Sequence, residues 1–154
     1  MDADRIASRA KPIVSAILRS PLHPLLSFGL MLISFEGRKT GLRYTFPVGY
    51  QRSGETITVL ASRAQRKSWW RNFGEPWPVE LWVRGQSLDG VGRALRGDSA
   101  EFRDAVEATF RRLPRLAGQF GVRHQRGRAL TPEQWRTIAS EGAVVTIALR
   151  SAAR

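Results

Sequence analysis

The chain contains no cysteine. Disulfides, thiolate metal sites and a cysteine nucleophile are therefore excluded. Histidine is almost as scarce. His23 and His124 are the only two, and nothing in their spacing suggests a metal cluster or a Ser-His-Asp arrangement. His23 sits between Pro21 and Pro24, which suits a turn or a cap better than catalysis. Only three lysines, Lys11, Lys39 and Lys67, stand among 25 cations, and the only tyrosines are Tyr44 and Tyr50. Leu25 to Phe35 is apolar but too short to cross a bilayer. The amino terminus lacks the layout of a signal peptide, which leaves a cytoplasmic protein as the expectation. Neither an internal repeat nor a low-complexity segment occurs.

What is present describes a globular chain. It has 154 residues, 42% of them hydrophobic, enough for one domain spanning 1–154 with a real core. Acidic residues number 13 and the formal net charge is +12. Such a balance points to anionic partners: an acidic cofactor, a membrane surface or nucleic acid.

Residues 1–22 form an amphipathic helical extension. Ile6, Ala10, Ile13, Val14 and Ile17 follow helical spacing, with Arg5, Arg9 and Arg19 elsewhere on the surface. That helix either packs across the fold or lies on an anionic membrane at the inner face. A first strand is expected from about Leu30. A second, Arg43 to Gln51, sets Tyr44, Phe46, Val48 and Tyr50 on one face and Thr45, Pro47 and Gly49 on the other. Its internal proline predicts an edge or a bulge. Thr56 to Ala61 reads as a third strand, and Val79 to Arg84 with the segment through Leu95 as a hairpin. Asp98 with Glu101 predicts a capping box for a helix bearing Phe102, Val106 and Phe110. Thr131, Pro132 and Gln134 predict the start of a second helix that ends at Gly142. Ala143 to Leu149 closes the chain as an apolar strand. Pro114 to Leu130, rich in arginine, reads as a long loop.

The candidate site lies within Ile33 to Phe73. Gly37 and Gly41 flank Arg38, Lys39 and Thr40. Glycine permits a tight turn, and two cations, a hydroxyl and backbone N–H groups can then cradle an anion such as phosphate. A second basic loop, Arg63 to Lys67, follows Ala61 and Ser62. Trp69 and Trp70 come next and diverge by about 100° on a helix, so both cannot face one core. One packs inside; the other is a surface residue or a wall for a planar ring. Asn72 could aim its amide at ring heteroatoms or cap a loop.

The run GRKTG (37–41), then TFPVGY, VLAS and WWRNF, resembles the deazaflavin (F420)-dependent nitroreductase family, also called the quinone-reductase family. The resemblance covers about residues 25 to 95. It implies an α+β fold: an antiparallel split β-barrel, related to the FMN-binding split barrels, of about six strands with peripheral helices. It implies hydride transfer from reduced F420 to an organic acceptor, a quinone or a nitro or enone compound. Arg38, Lys39, Thr40 and Gly41 would meet the cofactor phosphate, and Arg66 and Lys67 its phosphate or acidic tail. Pro47, Val48, Ala61 and Ser62 would face the ring, with Trp69 and Asn72 shaping its pocket. No catalytic acid or base is required at a motif position, and none is assigned. Other readings of the same barrel are an FMN, haem or lipid carrier without this activity, and a basic nucleic-acid-binding barrel. The cations are spread along the chain and no nucleic-acid motif appears, which weighs against the last. The oligomeric state is left open, with a homodimer among the possibilities. Family members carry substrate-covering tyrosines near 114–130; this chain has none there.

Overall fold

The computed structural model describes residues 29–97, 99–123 and 127–150. The amphipathic extension 1–22, both histidines and Asp98 lie outside them. Seven strands are described: β1 (Leu30–Glu36), β2 (Arg43–Gly49), β3 (Gln51–Ser53), β4 (Thr56–Ala61), β5 (Trp77–Val83), β6 (Gln86–Leu95) and β7 (Ala143–Leu149). Two α-helices join them, α1 (Ala100–Arg112) and α2 (Pro132–Glu141). No described helix is long and apolar enough to cross a membrane.

The expected second strand, Arg43 to Gln51, is broken at Tyr50 into β2 and β3. The break decides the architecture. All described pairings are antiparallel, in the order β2-β1-β5-β6-β7-β4-β3. Strands separated by one residue thus occupy opposite edges of the sheet. The sheet must curl until those edges meet, and Tyr50 N–H is held there by the Gly29 carbonyl at 3.1 Å. This is the split barrel, with seven strands rather than six.

Alternating residues fill the inside: Met31, Ile33, Phe35, Ile57, Val79, Leu81, Val145 and Ile147 are all buried. The outer face of β4, β7 and β6 is buried too, under α1, α2 and a 3-10 segment, Pro114–Phe120. Leu60, Leu95 and Val144 point that way, against Phe102, Val106, Phe110 and Trp135. Because β7 is covered on both faces it reads as an almost continuous apolar run. Half of the expected loop 114–130 therefore belongs to a second core, with Ala117 and Phe120 buried in it.

The caps differ in one case. Thr131 and Gln134 make both bonds of the expected capping box. The cap of α1 is Ser99, whose hydroxyl accepts from Phe102 N–H at 3.1 Å. Glu101 sits one position too early for a capping box and pairs instead with Arg93.

Candidate functional site

Two neighbouring clefts hold most of the expected residues, and Trp69 lines both. The first, ≈ 270 Å³, is bounded by the Gly37–Gly41 turn, Tyr44, Phe46, Ser68, Arg71 and Asn72. The turn is set by Gly41 at φ +67° and by Gly41 N–H donating to the Gly37 carbonyl at 2.8 Å. At Gly37 a β-carbon would stand 2.5 Å from Thr40 Oγ1 and 2.7 Å from the Tyr44 ring, so only glycine fits.

The turn is anchored by Arg38. Its N–H donates to Asn72 Oδ1 at 2.8 Å, its Nε to the Asn72 carbonyl at 3.1 Å, and its Nη2 to the Glu75 carbonyl at 2.9 Å. The guanidinium lies 4.5 Å from the Trp77 ring centroid, and Nη1 is 3.5 Å from the Glu75 carboxylate. Asn72 is equally committed, because its Nδ2 donates to the Trp69 carbonyl at 2.8 Å. Thr40 Oγ1 accepts from Leu42 N–H and contacts Tyr44 OH, each at 3.2 Å. Lys39 is different: no hydrogen bond or ion pair from another described residue reaches its ammonium.

The aromatic pair enters a single 3-10 turn, Trp69–Phe73, rather than an α-helix. Phe73 is the residue that packs fully inside. Trp69 and Trp70 are both half-buried. Trp69 packs edge-on against Phe46, with centroids 5.4 Å apart, and stands as the wall between the clefts. Trp70 Nε1 donates to the Ala64 carbonyl at 2.8 Å, and Arg71 and Arg96 stack on its ring.

The second cleft, ≈ 700 Å³, opens at the seam of the barrel, where β2 approaches β4 without pairing. Pro47 explains why the seam stays open. It has no N–H to donate, so β2 ends the sheet there. Pro47, Val48, Val59, Ala61 and Trp69 form one side; Leu113, Pro114, Leu116 and Gln119 form the other. Ser62 is buried beside it and donates to Gln119 Oε1 at 3.3 Å. Lys67 also lines this cleft. Burial, and secondly the nearby Arg63 cation, lower its pKa from the ordinary 10.5. Both effects penalise the charged ammonium.

Arg66 stands apart in a separate cleft with Arg63, Gln65 and Glu141, and Gly41 shapes the turn without lining either cleft. Sequence reasoning did not find Ser68, Arg71, Leu113 or Gln119. Ser68 and Arg71 ride on the same turn as Trp69 and Asn72, whereas Leu113 and Gln119 reach the site from beyond α1, which nothing local marks. Among the described residues no cluster of His, Asp or Glu could hold a metal.

An antiparallel seven-stranded sheet curled on itself, with two helices outside it, is a split-barrel fold. The model of the F420H(2)-dependent quinone reductase family matches residues 22–116, and the chain belongs to that family. It is thus an F420-dependent reductase, which transfers hydride from reduced F420 to an organic acceptor. No curated protein matches it. Solved structures support the fold. A domain-swapped dimer is 17% identical with a TM-score of 0.57, covering 96% of this chain and 99% of its own. An F420-H2 dependent reductase (FDR-A) is 17% identical with a TM-score of 0.53, covering 77% of this chain and 94% of its own. An FAD- and haem-binding protein from Mycobacterium smegmatis is 19% identical with a TM-score of 0.54, covering 86% and 67%.

Proposed function

We propose that the seam cleft holds the deazaflavin ring and the Gly37–Gly41 cleft its phosphate, with the cofactor passing Trp69 between them. The observation that carries this is the pairing of Lys39 and Lys67. Both lack an acidic partner among the described residues, and they line two clefts that meet at one tryptophan. The site suits the group. The slot is apolar where a planar ring would lie and cationic where its anionic tail would run.

When bound, reduced F420 supplies the hydride. The protein's own residues orient and exclude water. Pro47, Val48 and Ala61 would support one ring face. Trp69 would fix the position of the ring edge, and Gln119, held by Ser62, would offer its amide to a ring carbonyl. Arg38 and Asn72 act one step back, holding the turn so that Lys39 and Thr40 face the phosphate. Arg66 would reach only the acidic tail. Among the described residues neither carboxylate nor histidine lines the seam cleft.

The acceptor we propose is a quinone. The far wall, Leu113, Pro114 and Leu116, is apolar and carries no phenol to orient a nitro group. A solved neighbour over nearly the whole chain is a domain-swapped dimer, and a homodimer is the assembly we propose here, with light scattering as its check.

The assignment is tested by titrating F420 into Lys39→Ala. A charge-assisted contact is worth about 1.5–3 kcal/mol, so affinity should fall tenfold or more while the melting temperature holds. Unchanged affinity in the folded variant would remove the turn from the site.

A further inference from the structure

A third cleft, ≈ 530 Å³, continues beyond the seam cleft on the side away from Lys39. The two share Gly29, Arg112 and Leu113 in their walls. Among the described residues its charged lining is three arginines, Arg52, Arg84 and Arg112, and no acid. They come from separate elements: β3, the β5–β6 turn and the end of α1. Arg112 Nη1 donates to the Arg52 carbonyl at 2.8 Å, which fixes the two arginines side by side. Arg84 occupies a left-handed position, φ +49°, at a turn where asparagine or glycine is favoured. The floor includes Gln51. The residue is only 7% exposed, and no described group hydrogen-bonds its amide. A buried amide with no partner among the described residues presents its donors toward whatever fills the cleft.

Resting on the proposed placement of the ring in the seam cleft, we propose that this arginine cleft is an acceptor subsite for an anionic group, a carboxylate or sulfonate on the quinone. A quinone lying against the ring would extend past Arg112 and bring a substituent among Arg52, Arg84 and Gln51. Guanidinium forks suit such planar or trigonal oxyanions, and the amide N–H of Gln51 completes the set. The cofactor's own anionic tail runs the other way, toward Lys39, so the two anionic ends do not compete.

The test compares 1,4-naphthoquinone with 1,4-naphthoquinone-2-sulfonate as acceptors of reduced F420, in wild type, Arg84→Asn, Gln51→Leu and Arg136→Gln. Asparagine keeps the left-handed turn while removing the charge. Arg136 lies on α2, outside this lining, and controls for net charge. Wild type should prefer the sulfonate by at least tenfold in kcat/KM, after correction for the quinones' uncatalysed rates. Arg84→Asn and Gln51→Leu should lose most of that preference, with the unsubstituted quinone changed less than twofold. Salt should erode the preference in wild type. Absence of preference in wild type, or its survival in Arg84→Asn, overturns the subsite, as does an equal loss in Arg136→Gln. F420 dissociation constants measured in parallel separate the two readings. If a Trp69→Ala variant binds F420 like wild type, the ring placement has failed, whatever the sulfonate result.

Discussion

At the scale of single residues, the site is built from side chains that differ in how far they are already committed. Arg38 and Lys39 are neighbours of like charge, yet Arg38 is bound to Asn72, Glu75 and the Trp77 ring, and Lys39 to no described group. Lys67 carries the clearest cost. Its lowered pKa means that the folded state disfavours the charged form. The unfolded chain then binds more protons than the folded one between that lowered value and 10.5, so stability attributable to Lys67 rises with pH across this window. Below the window the penalty is fully present. Lys67→Met should therefore melt higher than wild type at neutral pH without cofactor, and the gap should close as pH approaches 10.5. Thermal melts from pH 7 to 10.5 check this; a constant gap would place the effect in packing instead of charge. The same substitution should weaken F420 binding, a common trade of function against stability.

At the scale of elements, the Trp69–Phe73 turn is the piece that assembles the site. It is only five residues long, and no side chain caps its start. Tertiary contacts hold it in place. Phe73 seats over Gly92 of β6, where a β-carbon would come within 2.6 Å of the ring. Arg38 and Asn72 tie it to the β1–β2 turn. Gly92→Ala should therefore act twice. Overpacking costs about 1–3 kcal/mol, lowering the melting temperature by several degrees, and the displaced Phe73 should carry Trp69 with it. F420 affinity would fall although residue 92 lines neither cleft. Titration and melting of the variant test this, and intact affinity in a destabilised protein would show that Trp69 is placed independently of Phe73.

For the whole molecule, the governing feature is the curl that leaves a seam at Pro47. Sheet closure brings β2 against β4, and the helical layer outside β4, β7 and β6 delivers Leu113 to Gln119 as the far wall. This wall carries leucine and proline and no phenol. Rates across acceptors should follow: reduced F420 should be oxidised at least tenfold faster by a quinone than by a neutral nitroaromatic, because a missing hydrogen-bond donor removes orientation from the second. Stopped-flow oxidation of the reduced cofactor over a small acceptor panel measures it. A nitroaromatic as fast as the best quinone would mean the phenols are dispensable.

Much of this was legible in order along the chain. The bounds of β4 and β7 were legible to the residue, β7 as an apolar run after Gly142, Thr131 and Gln134 marked the start of α2, and the GRKTG turn stood out because two glycines bracket two cations. These are local properties: period, cap chemistry and backbone freedom act over a few residues. Pro47 was legible as an edge for the same reason. Tertiary structure alone decided the rest. A one-residue break at Tyr50 sends β2 and β3 to opposite sheet edges, and no local pattern encodes such a choice. The use of Arg38 depended on where the carbonyls of residues 72 and 75 lie, over thirty positions away. Sequence shows that a cation is present, but only the fold shows whether a protein group already neutralises or occupies it. For that reason we propose Lys39 and Lys67 as the ligand-facing charges, while Arg38 is bound into the frame.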